Sequence, residues 1–143
     1  SSYGKAASWQ IDKDTIYLAH NELLDGMSTC RFETLEVSTC FDSVYLRGEE
    51  EDLDPYDVFL GGLGPIIVIT NERAQSGEQL FLFKDSYAHA LAPFLAQHFA
   101  RVTLFDMRFV RRQLILDNFD FDGSKVLFLY STSVLNTDPQ ILN

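Results

Sequence analysis

Residues 80–90 read LFLFKDSYAHA, an apolar run of strand length that passes through one lysine into Asp85-Ser86. After Ser86 the apolar residues recur at the spacing of one helix face, at Ala90, Leu91, Phe94, Leu95 and Phe99. A buried strand that leads directly into a helix is therefore predicted. Because Pro93 lies beyond the first turn, we expect a kink or a lost hydrogen bond there.

The position of Ser86 at this junction has two interpretations. A serine at the start of a helix lies beside free backbone N–H groups and the positive end of the helix dipole, which can stabilise an oxyanion. That placement suits a nucleophile. Alternatively, Ser86 or Asp85 caps the helix, which is a common use of both residue types.

Further elements alternate on both sides of this segment. Strands are predicted at 66–70, 80–83, 101–105 and 126–130, with a helical stretch at 110–117 and the start of another helix at 138–142. This order is typical of an α/β fold with a mostly parallel sheet and flanking helices. Ligands gather at the carboxyl ends of parallel strands. The polar residues there are Asn71, Asp85, Ser86, Asp106, Arg108, Ser131, Thr132 and Asn136.

The first part of the chain has a different pattern. Residues 1–55 read as a β-rich segment, with a strand at 15–18 and two more among Phe32–Val37 and Val44–Leu46. We expect this segment to pack on an α/β core formed by residues 56–143, as one domain. The chain begins Ser1-Ser2 without a methionine or signal peptide, a start that suits either a mature exported protein or a chain truncated at its N-terminus.

The charge balance disfavours two classes of partner. The formal net charge is −10, which repels nucleic acid and anionic membrane surfaces. The acidic run Glu49–Asp52 is interpreted as a solvated loop rather than a metal site. Since no apolar run approaches the roughly 20 residues of a membrane span, we expect no membrane insertion.

Cys30 and Cys40 form neither a zinc pattern nor a Cys-x-x-Cys motif. They meet as a disulfide across a hairpin if the protein is exported, or they are two buried free thiols. The sequence predicts no metal and no cofactor.

Several segments resemble the DHHW family. These are KDSYAHALAPFLAQHF at 84–99, VTLFDMR at 102–108, KVLFLYSTSVLNTD at 125–138, YDVFLGGLGP at 56–65, and SSYGKAASW with DTIYL near the start. That family is related to SGNH hydrolases and to bacterial acyltransferase-like proteins that modify exopolysaccharides. The resemblance, to the family's C-terminal part, implies an SGNH-hydrolase-like fold and a bacterial extracellular or cell-envelope location.

The resemblance also assigns residues. Ser86 matches the nucleophile, and Arg108 matches the arginine of an Asp-x-Arg motif with a role on substrate or oxyanion. From their positions after the strands, and not from the resemblance, Asp85, Asn71, Tyr130 and Asn136 are candidates for substrate or oxyanion contacts; the alternative for Tyr130 and Asn136 is that they cap or close loops. No residue of this sequence matches the family's general base, because the Asp-His-His-Trp motif is absent and no Asp-x-x-His follows in residues 131–143.

The three histidines have weaker claims to be the base. His89 is expected to be a surface or packing residue, His98 lies about 18 Å along the predicted helix from Ser86, and His20 is expected in a loop. A serine without a base is a poor nucleophile, because its hydroxyl must lose a proton during attack.

The resemblance implies a portion of a serine esterase or O-acyltransferase that acts on carbohydrate esters, and we expect these 143 residues alone to be inactive. The alternative is a non-catalytic binding or structural module that keeps the fold. If a segment is missing, an uncovered edge or face of the sheet would favour a homodimer.

Overall fold

One mixed β-sheet organises the described part of the chain. The computed structural model describes residues 15–46 and 54–137, so the acidic run Glu49–Asp52 and the predicted helix at 138–142 lie outside it. Six strands form the sheet: β1 (Met27–Phe32), β2 (Ser38–Phe41), β3 (Ile66–Asn71), β4 (Gln79–Lys84), β5 (Arg101–Phe105) and β6 (Lys125–Leu129). The four strands predicted in the second half are therefore confirmed.

Short helices and turns connect these strands. The helices are α1 (Ala92–Ala96), α2 (Arg112–Asn118) and α3 (Thr132–Thr137), and 3₁₀ turns occur at Leu24–Gly26, Pro55–Val58 and Ser86–His89. The predicted helix at 110–117 is confirmed as α2, whereas the sequence did not predict α3. The longest described helix, α2, has too few residues to cross a membrane.

The sheet is mostly antiparallel, which corrects the prediction of a mostly parallel sheet. Its strand order is β2-β1-β3-β5-β4-β6, and of the pairs between described strands only β4–β5 and β4–β6 are parallel. Parallel neighbours need a crossover of about a dozen residues or more. The link between β3 and β4, residues 72–78, is shorter than that and contains no helix, and β3 runs against β5.

The strand directions decide which ends meet. Strands β4, β5 and β6 run the same way, so their carboxyl ends lie at one edge, which we call the upper edge. Strand β3 runs the opposite way, with Ile66 opposite Phe105 and Thr70 opposite Arg101. The carboxyl end of β3 therefore lies at the lower edge.

The β-rich segment extends the same sheet. Strand β1 pairs with β3 along its whole length and with β2 on its other side. Residues 15–18, expected as a strand, form no regular element, and Tyr45 makes an isolated bridge to Phe59. Cys30 lies opposite Cys40 in the β1–β2 pair, and the two are joined by a disulfide.

The helix expected after Ser86 is broken into two pieces. The 3₁₀ turn ends at His89, and α1 starts at Ala92 with Pro93 in its first turn. A continuous helix would need an N–H at residue 93 to bond the carbonyl of residue 89, and proline has none. Proline is instead well suited to a helix start, so the chain begins a new helix there.

Alternating side chains of the strands build two hydrophobic clusters. Ile67, Ile69, Leu82 and Leu104 belong to one cluster, and α1 packs on it through Ala92 and Ala96. The second cluster contains Ile66, Val68, Phe81 and Phe105 and is covered by Ile115 of α2. These clusters fix the ends of β4 and β5, from which the polar residues of the upper edge project.

Candidate functional site

Ser86 lies at the upper edge, immediately after the buried strand β4. It is the first residue of the 3₁₀ turn, and its side chain is exposed. The capping role belongs to Asp85, whose carboxylate accepts from the backbone N–H of Tyr87. The buried strand predicted before Ser86 is confirmed, but a 3₁₀ turn follows it instead of the predicted helix, and the hydroxyl of Ser86 is not used as a cap.

Asp85 is a buried structural residue. One of its carboxylate oxygens accepts from Tyr87 N at 3.0 Å, and the other accepts from Ser131 N at 2.6 Å. The residue is only 1% exposed. Its carboxylate therefore joins the end of β4 to the residue after β6, and this is a different role from the substrate or oxyanion contact expected from the sequence.

A cleft of about 290 Å³ opens beside Ser86. Two segments form its walls, and the residues that line it are Asp54, Tyr56, Asp57, Leu63, Ser86, Tyr87, His89 and Ala90. Tyr56 and Tyr87 are largely exposed. The cleft thus combines the serine hydroxyl, two phenol rings and two carboxylates, and no lysine or arginine of the described residues lines it.

The glycine-rich loop contributes Leu63 to one wall of the cleft. Leu60, Gly61 and Gly62 have φ values of 58°, 73° and 84°, a left-handed run that needs glycine at most of its positions. A Cβ on Gly62 would lie 2.7 Å from Oδ1 of Asp57. Arg31 of β1 donates to the carbonyl oxygen of Gly61. The interpretation of Gly61–Pro65 as a tight connection into a buried strand is confirmed.

A buried charged cluster lies beneath the Ser86 turn. Nζ of Lys84 lies 2.7 Å from Nε2 of His89 and 3.4 Å from Oδ2 of Asp106. Asp106 also accepts two hydrogen bonds from the guanidinium of Arg108, at 2.8 and 2.6 Å. Lys84 and Asp106 are fully buried and His89 is 5% exposed. Charges this deep are stable only when they are paired.

Burial and neighbouring charge shift the pKa values in this cluster. Desolvation, reinforced by the charge of Lys84, lowers the pKa of His89 from 6.5 to about 3. Desolvation also lowers the pKa of Lys84, against the opposing pull of Asp106. The pKa of Asp106 is lowered because the Arg108 hydrogen bonds and Lys84 outweigh the effect of burial. His89 is therefore a neutral imidazole near neutral pH.

The other predicted site residues do not line the cleft. Asn71 is at the lower edge, because β3 is antiparallel to β5, and its amide donates to the carbonyl of Ala96 at 3.0 Å. Arg108 is at the upper edge, held by Asp106 and stacked over Phe109. Tyr130 is half-buried after β6, and Asn136 is exposed on α3.

No histidine within residues 15–46 and 54–137 is hydrogen-bonded to Ser86. His20 pairs with Asp25 at 2.8 Å in an irregular segment, as expected for a loop residue. His98 is exposed and lines a different cleft with Arg73 and Gln97. His89 is the histidine that shares the cleft with Ser86, and the sequence had favoured only a surface or packing role for it.

Lys84 and His89 of the buried charged cluster were not predicted from the sequence, and neither were the polar and aromatic residues that line the cleft, Asp54, Tyr56, Asp57 and Tyr87. Lys84 itself could have indicated the cluster, because a lysine at the end of a buried strand needs a charged or hydrogen-bonding partner nearby. His89 lies five residues further on, and a single tight turn between them brings the two side chains together. Because a regular helix was predicted after Ser86, this contact between Lys84 and His89 was not predicted.

Solved structures resemble this chain. Bacillus cereus PatB1 carrying a sulfonyl adduct is 31% identical, over 76% of this chain and 38% of that chain, with a TM-score of 0.55. Another structure of PatB1 covers 36% of that chain at a TM-score of 0.57. A DHHW family protein from Eubacterium siraeum is 27% identical, over 70% of this chain and 32% of that one, with a TM-score of 0.55.

The chain spans less than two fifths of the length of these structures. No family model and no curated protein matches it.

Proposed function

We propose that this chain is the nucleophile-bearing portion of a bacterial cell-envelope serine esterase or O-acyltransferase of the SGNH-hydrolase-like type, which acts on carbohydrate esters. Ser86 is the nucleophile. Its hydroxyl loses a proton to the general base and attacks the ester carbonyl, and the C–O bond to the ester's alcohol breaks as that alcohol leaves with the proton. The acyl group on Ser86 then passes to water or to a sugar hydroxyl.

The observation that carries this proposal is the placement of Ser86. The residue is exposed in a cleft, at the end of a buried strand, and Asp85 rather than Ser86 caps the turn. A hydroxyl that is neither a cap nor a packing group is free to meet a substrate. The resemblance to PatB1 with a sulfonyl adduct supports the same role, since such adducts form when a protein nucleophile attacks a sulfonyl group.

The lining of the cleft supports a carbohydrate substrate. Tyr56 and Tyr87 present exposed rings on which the apolar face of a sugar can stack, and Asp54 and Asp57 supply oxygens that accept hydrogen bonds from sugar hydroxyls. The two carboxylates also repel anionic substrates. We therefore infer a neutral or positively charged sugar rather than a uronic acid.

The backbone at Ser86 supports binding of the oxyanion. Leu63 lines the cleft with Ser86, but the N–H groups of Leu60 and Gly62 in the same loop donate to the carbonyl oxygens of Val44 and Phe59. The N–H of Ser86 is the donor we assign to the tetrahedral intermediate.

The general base comes from outside the described residues. His89 has its Nε2 engaged by Lys84, and His20 and His98 lie away from the cleft. Activity therefore depends on an imidazole that another part of the natural protein delivers to Ser86.

The disulfide supports an exported protein. Cys30 and Cys40 are joined, and disulfides persist mainly in oxidising compartments such as the cell envelope. An extracellular or envelope location agrees with a carbohydrate substrate.

A second candidate function is a non-catalytic binding module. The observation that favours it is the lack of a base hydrogen-bonded to Ser86 among the described residues. Such a module would use the same cleft to hold a glycan without cleaving it.

Acetyl-ester hydrolysis separates the two candidates. The longest natural form of the protein should hydrolyse 4-nitrophenyl acetate and acetylated sugars, and Ser86→Ala should remove this activity. Ser133→Ala, which changes another exposed hydroxyl, serves as the matched control and should retain it. Glycan binding without hydrolysis by the unsubstituted protein would favour the binding module.

A further inference from the structure

The contact between Lys84 and His89 determines which ring nitrogen carries the proton. Nζ of Lys84 lies 2.7 Å from Nε2 of His89. An ammonium group has three N–H donors and no acceptor, so it can only donate. Nε2 must then accept, and in a neutral imidazole the proton resides on Nδ1.

The Asp106 carboxylate favours the charged form of Lys84 against the desolvation that lowers its pKa. The Asp106 carboxylate lies 3.4 Å away, and both side chains are fully buried. Asp106 is fixed in turn by two hydrogen bonds from Arg108. A carboxylate held in this way favours the charged form of its neighbour.

We propose that His89 is a fixed neutral donor that offers its Nδ1–H to the carbonyl oxygen of the substrate beside Ser86, and that it is not the general base. This inference rests on the proposed function, because it assigns a partner to the same cleft. It adds a donor that the sequence did not predict. The Ser86 proton goes to a different acceptor, because the Nε2 lone pair of His89 is occupied.

The electrostatics of the cluster support this role. The pKa of His89 is lowered to about 3 by desolvation and by Lys84, with Arg108 acting in the same direction and Asp106 and Asp85 opposing. The ring therefore stays neutral through the pH range in which ester hydrolysis is measured. A neutral donor can polarise a carbonyl without bringing a full charge into the cleft.

Nitrogen NMR of the histidine rings tests the proton position directly. In uniformly ¹⁵N-labelled protein we expect His89 to show a protonated Nδ1 and an unprotonated Nε2, with no titration between about pH 5 and pH 8. A proton on Nε2, or titration of His89 in that range, would overturn the proposal. Neither outcome depends on catalytic activity.

Substitution of the lysine gives a second arm. In Lys84→Met the Nε2 of His89 loses its donor, so the proton should no longer be confined to Nδ1 and the ¹⁵N shifts of the ring should change. Lys125→Met, which removes an exposed lysine paired with Glu78, should leave the His89 signals unchanged. If Lys84→Met leaves the His89 spectrum unaltered, Lys84 does not fix the tautomer. Should that variant fail to fold, the unsubstituted spectrum still decides the question.

The donor role has its own readout. His89→Gln keeps a side-chain N–H and should acylate Ser86 within about 10-fold of the natural rate, whereas His89→Leu should lose on the order of 100-fold, as for an oxyanion donor. Equal rates for His89→Leu and the unsubstituted protein would overturn the donor role while leaving Ser86 as the nucleophile. An unreactive Ser86 with the predicted His89 tautomer would instead overturn the proposed function.

Discussion

The carboxylate of Asp85 accepts the backbone N–H of Ser131 at 2.6 Å, across a separation of 46 residues. The same carboxylate accepts from Tyr87 N with its other oxygen. One buried side chain therefore holds together the carboxyl ends of β4 and β6 and the turn that carries Ser86.

We predict that Asp85→Asn lowers the free energy of unfolding by about 1–3 kcal/mol. Both carboxylate oxygens accept from N–H groups, so an amide NH₂ in either position would face a donor. Asp54→Asn is the matched control: Asp54 caps the Pro55–Val58 turn through one oxygen, which asparagine retains. Urea denaturation of the two variants measures the difference, and equal stabilities would show that the Ser131 contact contributes nothing.

The low pKa of His89 predicts a loss of stability in acid. The folded protein holds this ring near pKa 3, whereas the unfolded chain protonates it near 6.5. Below pH 6.5 the unfolded state therefore binds a proton that the folded state excludes, and stability falls as the pH falls toward 3. At about pH 4 the exclusion of this proton has lowered the free energy of unfolding by roughly 3 kcal/mol relative to neutral pH.

Denaturation of His89→Gln checks this dependence. The variant should lose less stability than the unsubstituted protein between about pH 7 and pH 4. His98→Gln, which changes an exposed histidine, should follow the unsubstituted protein. Parallel pH profiles for all three proteins would show that His89 does not carry the acid sensitivity.

The backbone conformation at Gly62 predicts that a side chain at this position destabilises the fold. Alanine there would adopt φ 84° and place its Cβ 2.7 Å from the Asp57 carboxylate. We expect Gly62→Ala to cost about 1–3 kcal/mol and to displace one wall of the cleft. Gly77→Ala has open space around the new Cβ and should change stability little. Thermal unfolding compares them, and a stable Gly62→Ala would contradict the left-handed loop.

The Cys30–Cys40 bridge should stabilise the β1–β2 hairpin. It closes a short loop, for which chain entropy gives about 2–3 kcal/mol. Replacing both cysteines with serine should lower the free energy of unfolding by that amount. Reducing agent should have the same effect on the natural protein and none on the variant. Insensitivity of the natural protein to reduction would contradict a stabilising bridge.

Local pattern in the sequence was sufficient to locate most elements. The apolar runs at 66–70, 80–83, 101–105 and 126–130 are strands, and Ser86 follows β4 as predicted. Strand direction was not accessible in this way, since a buried strand has the same composition in parallel and antiparallel pairs. The short 72–78 link was the available signal that β3 turns back.

Some of the predicted site residues lie apart from Ser86 because strand direction could not be predicted from the local pattern. Asn71 was grouped with Ser86 because both follow strands, but the reversal of β3 places it at the opposite edge. The contact between Lys84 and His89 depends on the tight turn at Ser86–His89. Neither hydropathy nor helical spacing predicts such a turn.

The reactivity of Ser86 is the most direct test of the central claim. The longest natural form of the protein should be treated with a fluorophosphonate and the adduct located by peptide mass spectrometry. We predict one adduct, on Ser86, which is absent in Ser86→Ala and retained in Ser133→Ala. An unlabelled protein, or an adduct on another residue, would contradict the assignment of Ser86 as the nucleophile.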